Sequence, residues 1–238
     1  MSDLTIVSIY PDLLGTYGDA GNVLALRHRA ALHQLDAQVL AIAPGEAIPA
    51  SADLYVLGGG EDSAQTAAAR GIRADGNLMR AAERGAAVLA ICAGYQLLGE
   101  YFPDATSTPA PGLEIIDIST DRLPERAVGE LAADPLVAGL PRLTGYENHG
   151  GATHLGADVQ PLATVRAGVG NGDGTEGAIS GHVVGTYLHG PGLARNPALA
   201  DLLLGWCAGR VLEPIEETEV EQLREERLRA ALGEDWNR

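Results

Sequence analysis

AVLAICAGYQLLG, residues 87–99, starts as a β strand and finishes as a helix. The apolar run Ala86–Ile91 stops at Cys92, two small residues follow (Ala93 and Gly94), and the chain then takes up helical spacing. A strand, a cysteine and a tight turn into a helix form an elbow of the kind that lifts a nucleophile out of a sheet. Such a turn aims the thiol into a cleft and turns the next backbone N–H, that of Ala93, toward a developing oxyanion. The helix N-terminus is expected to favour the thiolate and lower its pKa. Cys207, in LLLGWCAG, lies in an apolar helical run with no such turn and reads as packing.

Outward from the elbow, Leu4–Tyr10, Ala37–Ile42 and Leu54–Leu57 repeat the near-continuous apolar character of strands covered on both faces. Asn22–Leu35 reads as an amphipathic helix with Leu24, Ala31, Leu32 and Leu35 inward, and Asn77–Arg84 as another, stopped by Gly85. This alternation predicts an α/β fold, a doubly wound, mostly parallel sheet flanked by helices. After Gly112 the pieces Leu113–Ile118, Ala127–Leu131, Ala163–Val165, Gly177–Ile179 and Val183–Leu188 read as an antiparallel extension that returns to the main sheet. Asn196–Ala208 reads as a late helix. Residues 1–212 are expected to form one domain, with 213–238 a charged helix or tail that is solvated or docks on a partner.

A cysteine nucleophile needs a base. His189 ends the run HVVGTYLHG, where Gly190 and Pro191 turn the chain, and so sits at the strand end where clefts form. His149, in GYENHGG, is its rival; His28 and His33 read as surface or satisfied helix residues. Gly58-Gly59-Gly60 follows a strand directly and reads as a second source of oxyanion N–H donors or as a flexible turn. No His, Cys, Asp and Glu spacing suggests a metal site.

The 238 residues carry 32 Asp and Glu against 16 basic residues, all Arg, for a formal charge of −16. That balance argues against nucleic-acid partners and anionic membranes. The absence of Lys removes Walker-A phosphate binding and Schiff-base chemistry from this chain. No run approaches the ~20 apolar residues of a membrane span and no export signal is evident, so a cytoplasmic location is expected.

Five segments taken together, ICAGYQ at 91–96, GGGEDSAQ at 58–65, GYENHGG at 145–151, GTYLHGP at 185–191 and LLGTYGDAGN at 13–22, resemble class I (triad-type) glutamine amidotransferases. The resemblance is to the cobyric-acid-synthase-like branch, a flavodoxin-like fold, and more narrowly to glutaminase subunits of lipid II isoglutaminyl synthases. It implies Cys92 as nucleophile, His189 as general base and Arg126, in ERAVGE, as the residue that grips the glutamine α-carboxylate. A guanidinium can do so bidentately. It also implies Gly59 and Ala93 as backbone oxyanion donors, and a site-supporting or packing role for Gln96. The implied partner is a Mur-ligase-like (MurT-type) synthetase subunit that uses ATP and Mg, with no cofactor on this chain. Another acceptor, such as a corrinoid, or a non-catalytic regulatory role are the alternatives.

Two departures stand out. Ala90 occupies a position where many such domains carry Gly, which predicts a slightly altered elbow. The His-x-Glu pair that completes the triad is missing, because Gly190, Pro191 and Gly192 follow His189. The acid must come from elsewhere in the chain or from the partner, and the partner is the expected source. Asp19 is left as a cap of the first helix, or as part of a loop that lines the site or the partner contact.

Overall fold

The computed structural model describes residues 3–236. Its elements run β1 (Asp3–Ile9), α1 (Gly21–Leu32), β2 (Asp36–Ile42), β3 (Leu54–Leu57), α2 (Asp62–Asp75), α3 (Asn77–Glu83), β4 (Ala87–Ile91) and α4 (Ala93–Leu97). They continue with β5 (Tyr101–Pro103), β6 (Pro109–Pro111), β7 (Ile118–Pro135), β8 (Leu143–Leu155), β9 (Ala163–Ala167), β10 (Thr175–Glu176), β11 (Ala178–Ser180) and β12 (Val183–Thr186). The chain closes with α5 (Gly192–Arg195), α6 (Pro197–Ala208) and α7 (Thr218–Leu232).

The main sheet has the order β11-β12-β4-β3-β1-β2, parallel throughout except for the edge strand β11. Every residue of β3 (LYVL) and β4 (AVLAI) is buried, as an apolar strand covered on both faces requires. From β1 the chain goes first outward to β2 and then, on the other side, to β3, β4 and β12. The strand order reverses beside β1, so the loops after β1 and β3 flank a crevice at the carboxyl ends of the strands. This crevice holds the site.

A second sheet, antiparallel, has the order β10-β9-β7-β8. Its long β7/β8 hairpin slips register between Arg122 and Ala127, and the intervening residues bulge out. The extension expected from sequence is therefore present, with different boundaries. Of Leu113–Ile118 only Ile118 is strand, and GYENHGG, outside every strand expected from the sequence, lies inside the 13-residue strand β8. Where one helix was expected between β3 and β4 there are two, separated at Gly76 in the left-handed conformation (φ 75°).

The inward face of α1 also differs from the expectation. Leu24 is 64% exposed and Leu32 and Ala31 also face solvent, whereas Asn22, Val23, Leu26, Arg29 and Ala30 are buried. Polar partners override the apolar pattern here. Arg29 forms a two-pronged ion pair with Asp201 on α6, and Asn22 Oδ1 accepts the Leu193 N–H (2.9 Å). The charged α7 packs back on β7, β8, β9 and α5 of its own chain. Its Arg224, 3% exposed, donates to the carbonyls of Arg195 and Arg142 and to Asn196 Oδ1.

Candidate functional site

Cys92 stands between β4 and α4 with φ 51° and ψ −106°, a strained conformation for a non-glycine residue. Three backbone bonds hold it there. The Cys92 N–H donates to the Thr186 carbonyl (2.8 Å), the Gln96 N–H donates to the Cys92 carbonyl (3.0 Å), and the Gly94 N–H reaches the Gly58 carbonyl (3.2 Å). Gly94 has to be small, because a Cβ there would lie 2.8 Å from Leu57 Cβ and 2.9 Å from the Gly58 carbonyl. Ala90 fits its strand fully buried, in register with Gly185.

The thiol environment corrects one expectation. Burial pushes the Cys92 thiol up to about 12 and the Asp19 carboxylate adds to this, while the Ala93 N–H and Arg126 pull it back. Helix α4 is only five residues long, and its N-terminal donor does not offset desolvation.

His189 is fully buried beside it. Both Asp19 carboxylate oxygens lie 3.0 Å from His189 Nδ1. A carboxylate only accepts, so Nδ1 carries the proton and Nε2 is left with its lone pair. Nε2 is buried with no hydrogen-bond partner among the described residues. An acid that can orient the imidazole, Asp19, is thus present on this chain, where the expectation had favoured the partner. Asp19 does not cap α1, whose N-cap position is Ala20 with no side-chain cap. Tyr17, with φ 61° and 42% exposed, sets its ring edge-on to the imidazole, centroids 5.2 Å apart.

Gly59 takes a different part from the one expected. Its N–H donates to Asp19 Oδ2 (2.7 Å) and its carbonyl accepts the Thr16 N–H (3.0 Å), so its amide serves the acid and does not face an oxyanion. Its missing side chain supplies the space: a Cβ would lie 2.8 Å from His189 Cε1, 2.9 Å from Asp19 Oδ2 and 3.5 Å from Cys92 Cβ. The Ala93 backbone N–H is close enough to Cys92 to be among the groups that draw its thiol down.

Arg126 lies in the β7 bulge, exposed, and donates through Nε to Asn148 Oδ1 (2.6 Å) and through Nη2 to the Asn148 carbonyl (3.2 Å). The same carbonyl is 3.9 Å from Cys92 Sγ. The guanidinium therefore borders the thiol, with donors left for a carboxylate. Gln96 faces elsewhere. Its Oε1 accepts from Gln65 Nε2 (2.9 Å) and its Nε2 donates to the Tyr187 hydroxyl (3.3 Å), which places it in a buried network and not at the thiol. Gln65 also holds the Ala93 carbonyl (3.1 Å), bracing the elbow from α2.

The GYENHGG strand frames the site residue by residue. Tyr146 exchanges both backbone bonds with His189 (3.0 and 2.8 Å). Glu147 accepts the Val169 and Gly170 N–H groups (2.8 and 2.9 Å), and Asn148 holds Arg126. His149 stacks on the Tyr187 ring at 3.6 Å and bonds the Gly151 carbonyl (3.0 Å), a framework role consistent with ranking it behind His189. Cys207 lies far from this crevice, bonded to the Asp53 carbonyl just ahead of β3 (3.4 Å). Among the described residues there is no cluster of metal-ligating side chains, and no helix is long and apolar enough to cross a membrane.

Asp19, Gln65 and Asn148 are the site residues that sequence reasoning missed or left open. The only signal for Asp19 was its presence in the glycine-rich 13–22 loop after a strand.

Comparison with known proteins agrees with this geometry. Residues 5–197 match the model of the CobB/CobQ-like glutamine amidotransferase domain. The chain is 34% identical to the lipid II isoglutaminyl synthase (glutamine-hydrolyzing) subunit GatD of Staphylococcus aureus strain N315, over 100% of this chain and 98% of that protein. It is 35% identical to the cobyric acid synthase of Sphingopyxis alaskensis, over 70% of this chain but 34% of that protein. A solved glutamine amidotransferase structure superposes with a TM-score of 0.58 at 19% identity, covering 85% of this chain and 98% of that one, which supports the fold. A cysteine elbow, a histidine from a later strand and a family match that spans both lead to one conclusion: the chain belongs to the CobB/CobQ-like glutamine amidotransferases.

Proposed function

We propose that this chain is the glutaminase subunit of a lipid II isoglutaminyl synthase. The observation that carries the glutaminase reading is the buried His189, with Nδ1 on Asp19 and Nε2 unpartnered, next to a cysteine on a strained elbow. The acceptor rests on the Staphylococcus aureus relative, which this chain matches from end to end, whereas the cobyric acid synthase is matched over a third of its length.

In this reading L-glutamine enters with its α-carboxylate on Arg126 and its side-chain amide over Cys92. His189 Nε2 takes the thiol proton as sulfur attacks the amide carbon, and Asp19 stabilises the imidazolium. With the thiol held near 12, attack is coupled to this transfer and does not draw on a standing thiolate. The Ala93 N–H supports the oxyanion. Ammonia leaves with the proton from His189, and water, activated by the same imidazole, releases glutamate from the thioester. A Mur-ligase-like synthetase subunit, with ATP and Mg, then uses the ammonia to amidate the D-glutamate of the lipid II stem peptide.

The test is amidation of lipid II by the reconstituted pair, with glutamine or with ammonium chloride as nitrogen source. Cys92→Ala is expected to abolish the glutamine-dependent reaction and leave the ammonium-dependent one intact. Loss of both, or retention of both, would overturn the proposal.

A further inference from the structure

The carboxylate of Glu176, at the end of β10, is completely buried behind the strand that leads to His189. Its Oε1 accepts two hydrogen bonds from the end of β12, one from the Thr186 hydroxyl and one from the Tyr187 N–H (2.9 Å). Thr186 Oγ1 itself accepts the Leu188 N–H (3.1 Å), so the hydroxyl proton is the one given to Glu176. The carbonyl of Thr186 receives the Cys92 N–H (2.8 Å). One carboxylate oxygen therefore fixes the residue that anchors the nucleophile's amide, in a segment that reaches His189 three positions later.

The other oxygen, Oε2, is buried with no hydrogen-bond partner among the described residues. A side chain that merely capped this strand end would serve as well with an amide or a shorter group, and a lone buried carboxylate oxygen is costly. The titratable groups around it are Glu147 and His149 on β8, Tyr95 on α4, Tyr187 itself and Asp173, which acts on Tyr95 from the preceding loop. Burial pushes the Glu176 acid up to about 7; the Thr186 and Tyr187 bonds pull it down, Glu147 pushes it further up, and the neighbouring Gly177 N–H pulls it down again. Ionised, Oε1 makes two charge-assisted bonds to β12. Protonated, the proton sits on Oε2, because Oε1 already faces two donors, and both bonds weaken.

We propose that Glu176 is a positioning residue for the Cys92–His189 site, holding the end of β12 firmly when ionised and loosely when protonated. The proposal rests on the glutaminase reading above and adds a second ionisable group, off the reacting atoms, to the control of that reaction.

The experiment measures glutamine hydrolysis by the complex with the synthetase subunit from pH 5.5 to 9, for wild type, Glu176→Gln, Glu176→Ala and Thr186→Val. Competent sites are counted by covalent titration with 6-diazo-5-oxo-norleucine, so that a folding defect lowers the count and leaves kcat per site unchanged. Glu176→Gln keeps an acceptor but cannot ionise. It is expected to lower kcat per site about three- to tenfold at pH 8, leave KM within about twofold and flatten the acid limb of the profile. Glu176→Ala should lower kcat further, with Gln partly rescuing it, and Thr186→Val should lower kcat without moving KM. Wild-type kcat per site and pH profile in Glu176→Gln would overturn the proposal, as would variants that change only the number of competent sites. If wild type neither reacts with the probe at Cys92 nor hydrolyses glutamine, the glutaminase reading fails and this inference with it.

Discussion

Asp19 and His189 are 170 positions apart in the chain, and both carboxylate oxygens of the first lie 3.0 Å from Nδ1 of the second. The pair is placed to fix the imidazole tautomer and to supply a countercharge for the imidazolium from within this chain. Asp19→Asn should therefore lower kcat for glutamine hydrolysis by about 10²–10⁴-fold with KM little changed, because an amide can hold the ring in the wrong tautomer. Steady-state glutaminase kinetics with the partner present check this. Activity within about threefold of wild type would mean that the acid comes from elsewhere.

The same substitution has an opposite effect on the resting thiol. The Asp19 charge is among the causes that raise the Cys92 thiol to about 12, well above neutral pH. Alkylation by iodoacetamide without glutamine is expected to be slow and to quicken about tenfold per pH unit from 7 to 10. Asp19→Asn, by removing a negative neighbour, should raise that rate at each pH while it lowers kcat. Mass mapping of the alkylated Cys92 peptide against time provides the measurement.

Gly59 lies where the three side chains meet, and a methyl group there would press on His189 Cε1 and Asp19 Oδ2 at 2.8 and 2.9 Å. Gly59→Ala is expected to lower stability by about 1–3 kcal/mol through overpacking. The larger effect should be on catalysis, a kcat loss on the order of 10²-fold from displacing the imidazole. Urea denaturation alongside glutaminase assay separates the two. Unchanged kcat would show that the imidazole does not need this space.

Arg224 ties α7 to two backbone carbonyls and the Asn196 side chain from inside the fold. Truncation to Ala leaves those acceptors buried without their donor and should cost about 2–4 kcal/mol in denaturant unfolding. A solvated tail would respond to the same change by less than about 0.5 kcal/mol.

The sequence by itself determined the elements whose signal is local. β3 and β4 are unbroken apolar runs because a parallel strand is covered on both faces, and the elbow at Cys92 is written in seven consecutive residues. His189 was legible as the residue closing its run before Gly190 and Pro191, although β12 itself stops at Thr186 and His189 meets Tyr146 in an isolated bridge. Local pattern misled where polar groups are buried in pairs, as in α1, where Arg29 and Asn22 face inward and Leu24 and Leu32 face out. It failed for β8, whose Gly-rich and polar text hides a strand that pairs with β7 on both sides of a bulge.

Tertiary structure alone decided the rest of the site. The sheet reverses direction beside β1, and that reversal brings the loop after β1 against the loop after β3 and the end of β12. Asp19, Gly59 and His189 become neighbours only through that crossing, so no spacing in the chain announces them. The desolvation that raises the Cys92 thiol is likewise set by everything packed around it. A seven-residue stretch can specify where a nucleophile stands, but which acid orients its base, and at what pKa it rests, are properties of the assembled fold.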